Sequence, residues 1–408
     1  MSSMEFATTM LHQQSASSRQ TIMSSLSAIR KHLGMSVAYV SEFVNGRTLF
    51  RYVDAPGLSH LIKEGDMYDA DELYCLNILD GKLPELIPNT ELFQAASSMP
   101  ITQTLRIGSH LSIPIYLNDG EPYGMFCCFG PNPNHSLNHR DLETMRLFVN
   151  LAAQQIQSDM EQTLQMREKR SRIMETLETS AFAIAYQPIV DLGGMHPSGY
   201  EALCRFSAEP YRTPDVWFNE AAEVGLSVEL ELAAIREAVG IIDTLDPEQY
   251  ISVNVSPATM LSAHFVDTFS RLPLSRIVLE LTEHAVIDDY EQFTKILSPL
   301  RRRGLRLAVD DAGAGHSSLR HIVQLSPDYV KVDMSLTRNV DSDLARRALI
   351  GALLFYTRET SAQIIAEGIE TQAELQTLKL LGVRRGQGYL LGRPSQTIAK
   401  EINILRAS

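Results

Sequence analysis

The chain has 408 residues, 44% of them apolar and 21% charged, with a formal net charge of -13. That length exceeds what one hydrophobic core usually organises, and the composition is that of folded protein rather than of disordered or collagen-like chains, so two folded domains are expected. The acidic balance argues against a broad surface for nucleic-acid polymers, which needs Lys and Arg in excess.

The first thirty residues are broken by polar side chains and lack the apolar segment of a secretory signal. No apolar run approaches the ~20 residues of a membrane-crossing helix, so a soluble, cytoplasmic chain with no membrane partner is expected. Residues 1–19 read as an N-terminal tail. From 20 to 158, strand-like runs alternate with turns: Asn45-Gly46 lies between two apolar stretches, and Asn118-Asp119-Gly120 lies between HLSIPIYL and EPYGMFCCFG. An apolar-periodic helix follows from about Asp141. These signals describe an antiparallel sheet flanked by helices.

This segment resembles a GAF domain, a sensory fold with loose motifs. The resemblance implies an unknown small ligand or signal and leaves its identity open. The four cysteines, Cys75, Cys127, Cys128 and Cys204, form neither a disulfide framework nor a CxxC zinc pattern, and read as buried free thiols. Cys75 has two readings, a small core residue or, as in some GAF photoreceptors, a chromophore anchor.

Residues 141–178 contain no Gly or Pro and many strong helix formers, which predicts one connecting helix. Leu147, Leu151, Ile156, Met160 and Leu164 form an imperfect seam along it, suited either to a second copy of the chain or to packing on its own domains. Such a helix is placed to carry the state of the sensor onward.

From 179 to 408, eight β-rich runs follow one another: AFAIAYQPI, GYEALCRF, YISVNVS, RIVLELTE, LRLAVDDAG, YVKVDMS, QIIAEGIE and QGYLLG. Helical segments separate most of them, a pattern that predicts a (β/α)₈ barrel of the TIM type after the α+β domain. In such barrels chemistry sits at the C-terminal mouth, so polar residues closing apolar strands are candidates. Here they are Gln187; Glu201 with Arg205; Asn254; Glu280 and Glu283; Asp310 with Asp311; Lys331 and Asp333; Glu367 and Glu370; and Gln387.

Any one of these carboxylates alone reads as a helix cap or surface group; their convergence points to a site. Carboxylate and amide oxygens are hard ligands that suit Mg²⁺ or Mn²⁺, whereas zinc recruits His or Cys. Adjacent Asp310 and Asp311 can serve one site only where the strand ends, since successive strand side chains point to opposite faces. A two-metal site of this type serves in-line phosphoryl displacement, so phosphoester hydrolysis is expected, with no organic cofactor. Lys331 among these anions can orient water, neutralise phosphate charge or form a structural salt bridge. Arg205 and Gln387 offer donors to a substrate.

The motifs Glu201-Ala202-Leu203, YQPIVD, SVNVS, ELTE, DDAGAGHSSL, KVD, AEGIE and QGYLLGRP, in this order, resemble those of the EAL-type cyclic di-GMP phosphodiesterases over nearly all of 180–404. The resemblance implies hydrolysis of cyclic di-GMP to linear pGpG by a homodimer. It implies one ion on Glu201, Asn254, Glu280 and Asp310, and a second ion with its water on Asp310, Asp311 and Glu367. Lys331 completes the catalytic set, and Gln187, Leu203, Arg205, Gln387 and Asp333 contact the dinucleotide. In the loop after the aspartate pair, Ala312, Ala314 and His316 replace the family's Phe, Thr and Tyr. With Gly313, Gly315 and Glu283, that loop is linked in the family to metal-site order and dimer contacts, so regulation is expected to differ.

The rival is a silent barrel that binds cyclic di-GMP as a receptor, against which the retained ligands count. A synthase of the same nucleotide would need a GGDEF signature, which is absent. GAGHSS lacks the Lys of a phosphate-binding P-loop.

Overall fold

A computed structural model describes residues 3–281, 287, 289–312 and 317–398. The chain divides into two compact units, Thr8–Arg167 and one built on the residues from Glu168 onward.

The first unit is a six-stranded sheet, with strands β1 (Val37–Val44), β2 (Arg47–Asp54), β3 (Met67–Asp69), β4 (Leu86–Ile87), β5 (Ser109–Tyr116) and β6 (Pro122–Gly130). Their order is β3-β2-β1-β6-β5-β4, and every pairing is antiparallel. Asn45 and Gly46 have φ of 51° and 78°, the two positive values that a tight hairpin matched to strand twist requires. Strand alternation divides the core in two. Ala38, Val40, Ile113, Phe126 and Cys128 pack on one side against Ile22, Leu26 and Ile29 of one helix and Met145, Val149 and Ile156 of another. Tyr39, Met125, Cys127 and Phe129 pack on the other side against Tyr74, Cys75 and Ile78. The neighbouring cysteines Cys127 and Cys128 therefore belong to different cores.

The first helix runs Ser3–His32, so the boundary expected at residue 20 falls inside one element. At Ser18 it is tied down by Oγ donation to Asp159 at 2.7 Å and by a bond from Gln155 at 2.6 Å. Along the seam, Ile156 is buried in the unit's own core, whereas Leu147 and Leu151 are 65% and 52% exposed, and both readings stay open. The long helix spans His139–Thr179, as the absence of Gly and Pro predicts. Among the described residues no helix is long and apolar enough to cross a membrane.

The second unit is a closed barrel of β7 (Phe182–Asp191), β8 (His196–Phe206), β9 (Tyr250–Asn254), β10 (Ile277–Leu281), β11 (Arg306–Ala312), β12 (Tyr329–Val332), β13 (Gln363–Ala366) and β14 (Arg385–Gly386). All neighbours pair in parallel except β7, which is antiparallel to both β8 and β14. A turn at Gly193 and Gly194 joins β7 to β8 where a parallel pair would need a helical crossover. The eighth strand is Arg385–Gly386 rather than the QGYLLG run. There the chain presses on its neighbour: a Cβ at Gly388 would lie 2.2 Å from the backbone N and O of Ile369. Helices coat the barrel, and Trp217, fully buried, stacks on Phe206 at 4.9 Å. Inside, Ile189, Tyr250, Val278, Ala308, Tyr329 and Ile365 form an apolar floor.

Candidate active site

Strand side chains on one face recur every second residue, so each floor residue fixes what lies above it. Tyr250 is followed by Ser252 and Asn254, Val278 by Glu280, Ala308 by Asp310, Tyr329 by Lys331, and Ile365 by Glu367. On the reversed strand β7 the order inverts, and Gln187 precedes Ile189. Register sets Glu201 of β8 beside Gln187 on one side and Ser252 on the other. Gln187 and Glu201 thus lie within their strands, not at strand ends, because the β7–β8 hairpin runs on past this level.

Lys331 occupies the middle of this layer with its side chain 1% exposed. Its Nζ lies 2.7 Å from Glu280, 2.8 Å from Glu367, 3.0 Å from Asp310 and 3.6 Å from Glu201. Burial by itself would lower the Lys331 pKa, but the charges of Asp310, Glu201, Glu280 and Glu367 outweigh it and hold the ammonium well above its usual value. Burial pushes the carboxyl of Glu280 well up and that of Glu367 to about 8, against the downward pull of Lys331. One ammonium thus faces four acids, and burial is the leading influence on Glu280 and Glu367.

Amides and a hydroxyl fix the acids. Gln387 Nε2 donates to Glu201 at 2.6 Å and to Gln187 Oε1 at 2.8 Å, while Gln187 Nε2 donates to the Gly392 carbonyl at 3.1 Å. Asn254 Nδ2 reaches Glu201 at 3.5 Å. Gln387 Oε1 is buried with no hydrogen-bond partner among the described residues, an acceptor left for an incoming donor. Ser252 Oγ donates to Glu280 Oε1 through a short bond and so fixes the carboxylate whose other oxygen Lys331 holds. Ser252 is absent from the residues singled out in the sequence, although the alternation Tyr250-x-Ser252-x-Asn254 places it on the interior face.

Asp311 reaches the mouth by a route other than a strand end. β11 continues to Ala312, Asp311 has φ of 53°, and the β11–β12 register slips between Val309 and Ala312. A bulge with one residue in the left-handed region brings the second aspartate around to the first. Asp310, Asp311 and Glu367 can each direct a carboxylate oxygen to within 4.8 Å of the others. That set of hard oxygen donors, in a layer short of positive charge, fits a hard divalent cation.

The remaining candidates lie further out. Arg205 is exposed and donates to the Cys204 carbonyl at 2.8 Å. With Leu203 and Asn254 it lines a pocket of about 390 Å³ whose walls include Ile184, Phe218 and Ile235. Asp333 caps the short helix Met334–Thr337, accepting from the Ser335 amide at 2.9 Å. Glu370 pairs with Arg338 at 2.8 Å on the surface. Ala312 is buried at the end of β11. Glu283 and residues 313–316, including Gly313, Ala314, Gly315 and His316, lie outside the described residues.

Comparison with known proteins agrees with this architecture. The EAL domain profile matches residues 170–394 and the GAF domain profile residues 19–156. A probable cyclic di-GMP phosphodiesterase of Escherichia coli, PdeI, is 29% identical over 54% of this chain and 30% of its own length. An uncharacterized signaling protein of Caulobacter vibrioides is 26% identical over 80% of this chain and 41% of its own. The chain thus spans less than half the length of these curated relatives. Among solved structures, the PaMucR phosphodiesterase in complex with c-di-GMP is 29% identical with a TM-score of 0.51, covering 56% of this chain and 97% of that one. The EAL enzyme Bd1971, solved with cAMP and cyclic di-GMP, shares the fold at 18% identity and a TM-score of 0.54, over 88% of this chain and 91% of that one. With the EAL profile matched over more than half of its length, the chain belongs to the EAL domain family, with a GAF domain preceding the barrel.

Proposed function

We propose that the barrel, residues 179–408, hydrolyses cyclic di-GMP to linear pGpG in a reaction that requires Mg²⁺ or Mn²⁺. The GAF-like domain, residues 20–158, regulates it through the helix 141–178 in response to a small ligand or signal, in a cytoplasmic homodimer. The observation that carries the reading is the interior layer itself, with Glu201, Glu280, Asp310 and Glu367 around Lys331 and Asp311 brought beside Asp310 by a bulge. The relatives named as phosphodiesterases support it.

Glu201, Asn254, Glu280 and Asp310 would hold one ion, and Asp310, Asp311 and Glu367 the second. Bound there, the ions would supply Lewis-acid stabilisation of the attacking and leaving oxygens of the phosphodiester. Lys331 keeps its proton and offsets negative charge in the layer, which lets acids and an anionic phosphodiester share the mouth. Gln387 holds Glu201 in place and, with Gln187, presents amide groups to the dinucleotide. Arg205 extends from β8 into solvent, where its guanidinium can grip a phosphate in bidentate fashion. The buried floor closes the barrel below, so substrate and water enter from the mouth alone.

The test is incubation of the purified protein with cyclic di-GMP and Mg²⁺ or Mn²⁺, beside the Glu201→Ala variant. Conversion to pGpG by the wild type, with loss in the variant, is expected. Binding of intact nucleotide by both would make the barrel a receptor.

A further inference from the structure

The end of the barrel opposite the mouth gathers charge of its own. Tyr250, Arg306, Tyr329 and Arg385 are the first residues of β9, β11, β12 and β14, so four strands start there with a large polar side chain. Gly199 of β8 makes room for one of them, since a Cβ at that position would lie 2.7 Å from the Tyr250 ring. The rings of Tyr250 and Tyr329 stack at 5.8 Å. Arg306 lies over both, 4.6 Å from the Tyr250 centroid and 5.7 Å from that of Tyr329, and Arg385 lies over Tyr329 at 5.2 Å.

Two guanidinium groups thus converge on one aromatic pair. Cation–π attraction holds each in place but leaves their mutual repulsion uncompensated. Neither forms an ion pair among the described residues. Arg306 donates to the Tyr329 hydroxyl at 2.7 Å and to the Ser275 carbonyl at 3.1 Å, while Arg385 Nε is buried with no hydrogen-bond partner. Tyr250 is 1% exposed, and its buried hydroxyl has no partner either. Ser198 beside it donates to the Ile189 carbonyl at 2.9 Å instead. Tyr250, Arg306 and Arg385 line one pocket of about 400 Å³. A buried hydroxyl and a buried N–H without acceptors are costly, and here both share a pocket with two unpaired cations.

We infer that this underside of the barrel binds a small oxyanion, a phosphate or carboxylate group, held by Arg306, Arg385 and the Tyr250 hydroxyl. The planar guanidinium fork matches either group, and the phenol adds a neutral donor. Asp191, Asp246 and Glu248 also line the pocket; Asp191 accepts from the Gly194 amide at 2.7 Å, and the other two are exposed. Their charges repel a polyanion, so a nucleic-acid strand or a nucleoside triphosphate is excluded and a metabolite with one or two negative charges fits. The apolar floor separates this site from the mouth. The inference therefore stands whether or not the barrel hydrolyses cyclic di-GMP.

The full-length protein, freed of divalent ions on a chelating resin, is titrated with inorganic phosphate and with malonate, by calorimetry and by thermal unfolding, against chloride at equal ionic strength. At least one of the two should bind and raise the melting temperature; phosphate alone marks a phosphoryl ligand and malonate alone a carboxylate one. Arg385→Met should abolish binding, and Arg205→Ala, at the mouth, should leave it intact. Tyr250→Phe keeps the ring and should weaken binding roughly tenfold, the worth of one hydrogen bond to a charged group. Without the anion, Tyr250→Phe should be at least as stable as the wild type, because it removes a buried hydroxyl that has no partner. A merely structural hydroxyl would instead cost stability with and without the anion. Should Arg385→Met fail to fold by circular dichroism, Tyr250→Phe decides alone. Absence of binding to both anions, wild-type affinity in either underside variant, or loss of binding in Arg205→Ala overturns the inference.

Discussion

The two units bury polar groups in contrasting ways. The barrel gathers its acids at one level of a closed interior, all within reach of a single ammonium, and strand alternation dictates the placement. The GAF unit sets a few sulfur, hydroxyl and imidazole groups into an apolar core, where strand register and a docked helix bring them together. Charge in the first is collective, four carboxylates around one ammonium. In the second, burial pushes the Cys128 thiol up, away from its charged form.

Breaking the barrel layer should have the largest effects. Glu201→Ala removes a proposed ligand that also anchors Gln387, and is expected to lower hydrolysis of cyclic di-GMP by about 10²–10³-fold, measured as initial rates. Lys331→Met leaves buried acids without their cation. In the absence of divalent ions it should destabilise the barrel by about 3–5 kcal/mol in chemical denaturation, and Mn²⁺ should restore part of that loss. Ser252→Ala removes the donor to Glu280, at an expected cost of about 1–3 kcal/mol, and should weaken Mn²⁺ binding about tenfold by calorimetry.

The smallest effect is expected far from either site. Thr371 forms a capping box with Glu374 at the helix Gln372–Leu381, and Thr371→Ala should cost about 1 kcal/mol in thermal or denaturant unfolding while leaving hydrolysis unchanged.

Much of the barrel layer is legible in the chain, because an apolar strand carrying Glu280, Asp310, Lys331 or Glu367 two residues past a floor residue is a local pattern. What alternation alone leaves out is set by pairing. The reversed β7 follows from a short turn that forbids a crossover, and it moves Gln187 and Glu201 inside their strands. Asp311 joins Asp310 through a bulge whose positive φ has no signature in Asp-Asp. Ser252 lies in a run that reads as ordinary strand, and its role exists only once β10 sets Glu280 beside it. The same holds more strongly for Cys75 and Cys127, which are 52 positions apart in the sequence and join one core only after the helix docks on the sheet.

The central claim is that the barrel interior seats two divalent cations on shared carboxylates. Anomalous diffraction from crystals of the full-length protein soaked in Mn²⁺ tests it most directly. Two peaks about 3.5–4 Å apart, flanking Asp310 and in contact with Glu201, Asp311 and Glu367, are expected. Peaks elsewhere, or a carboxylate layer that binds no Mn²⁺ while Lys331 keeps its ion pairs, would contradict it.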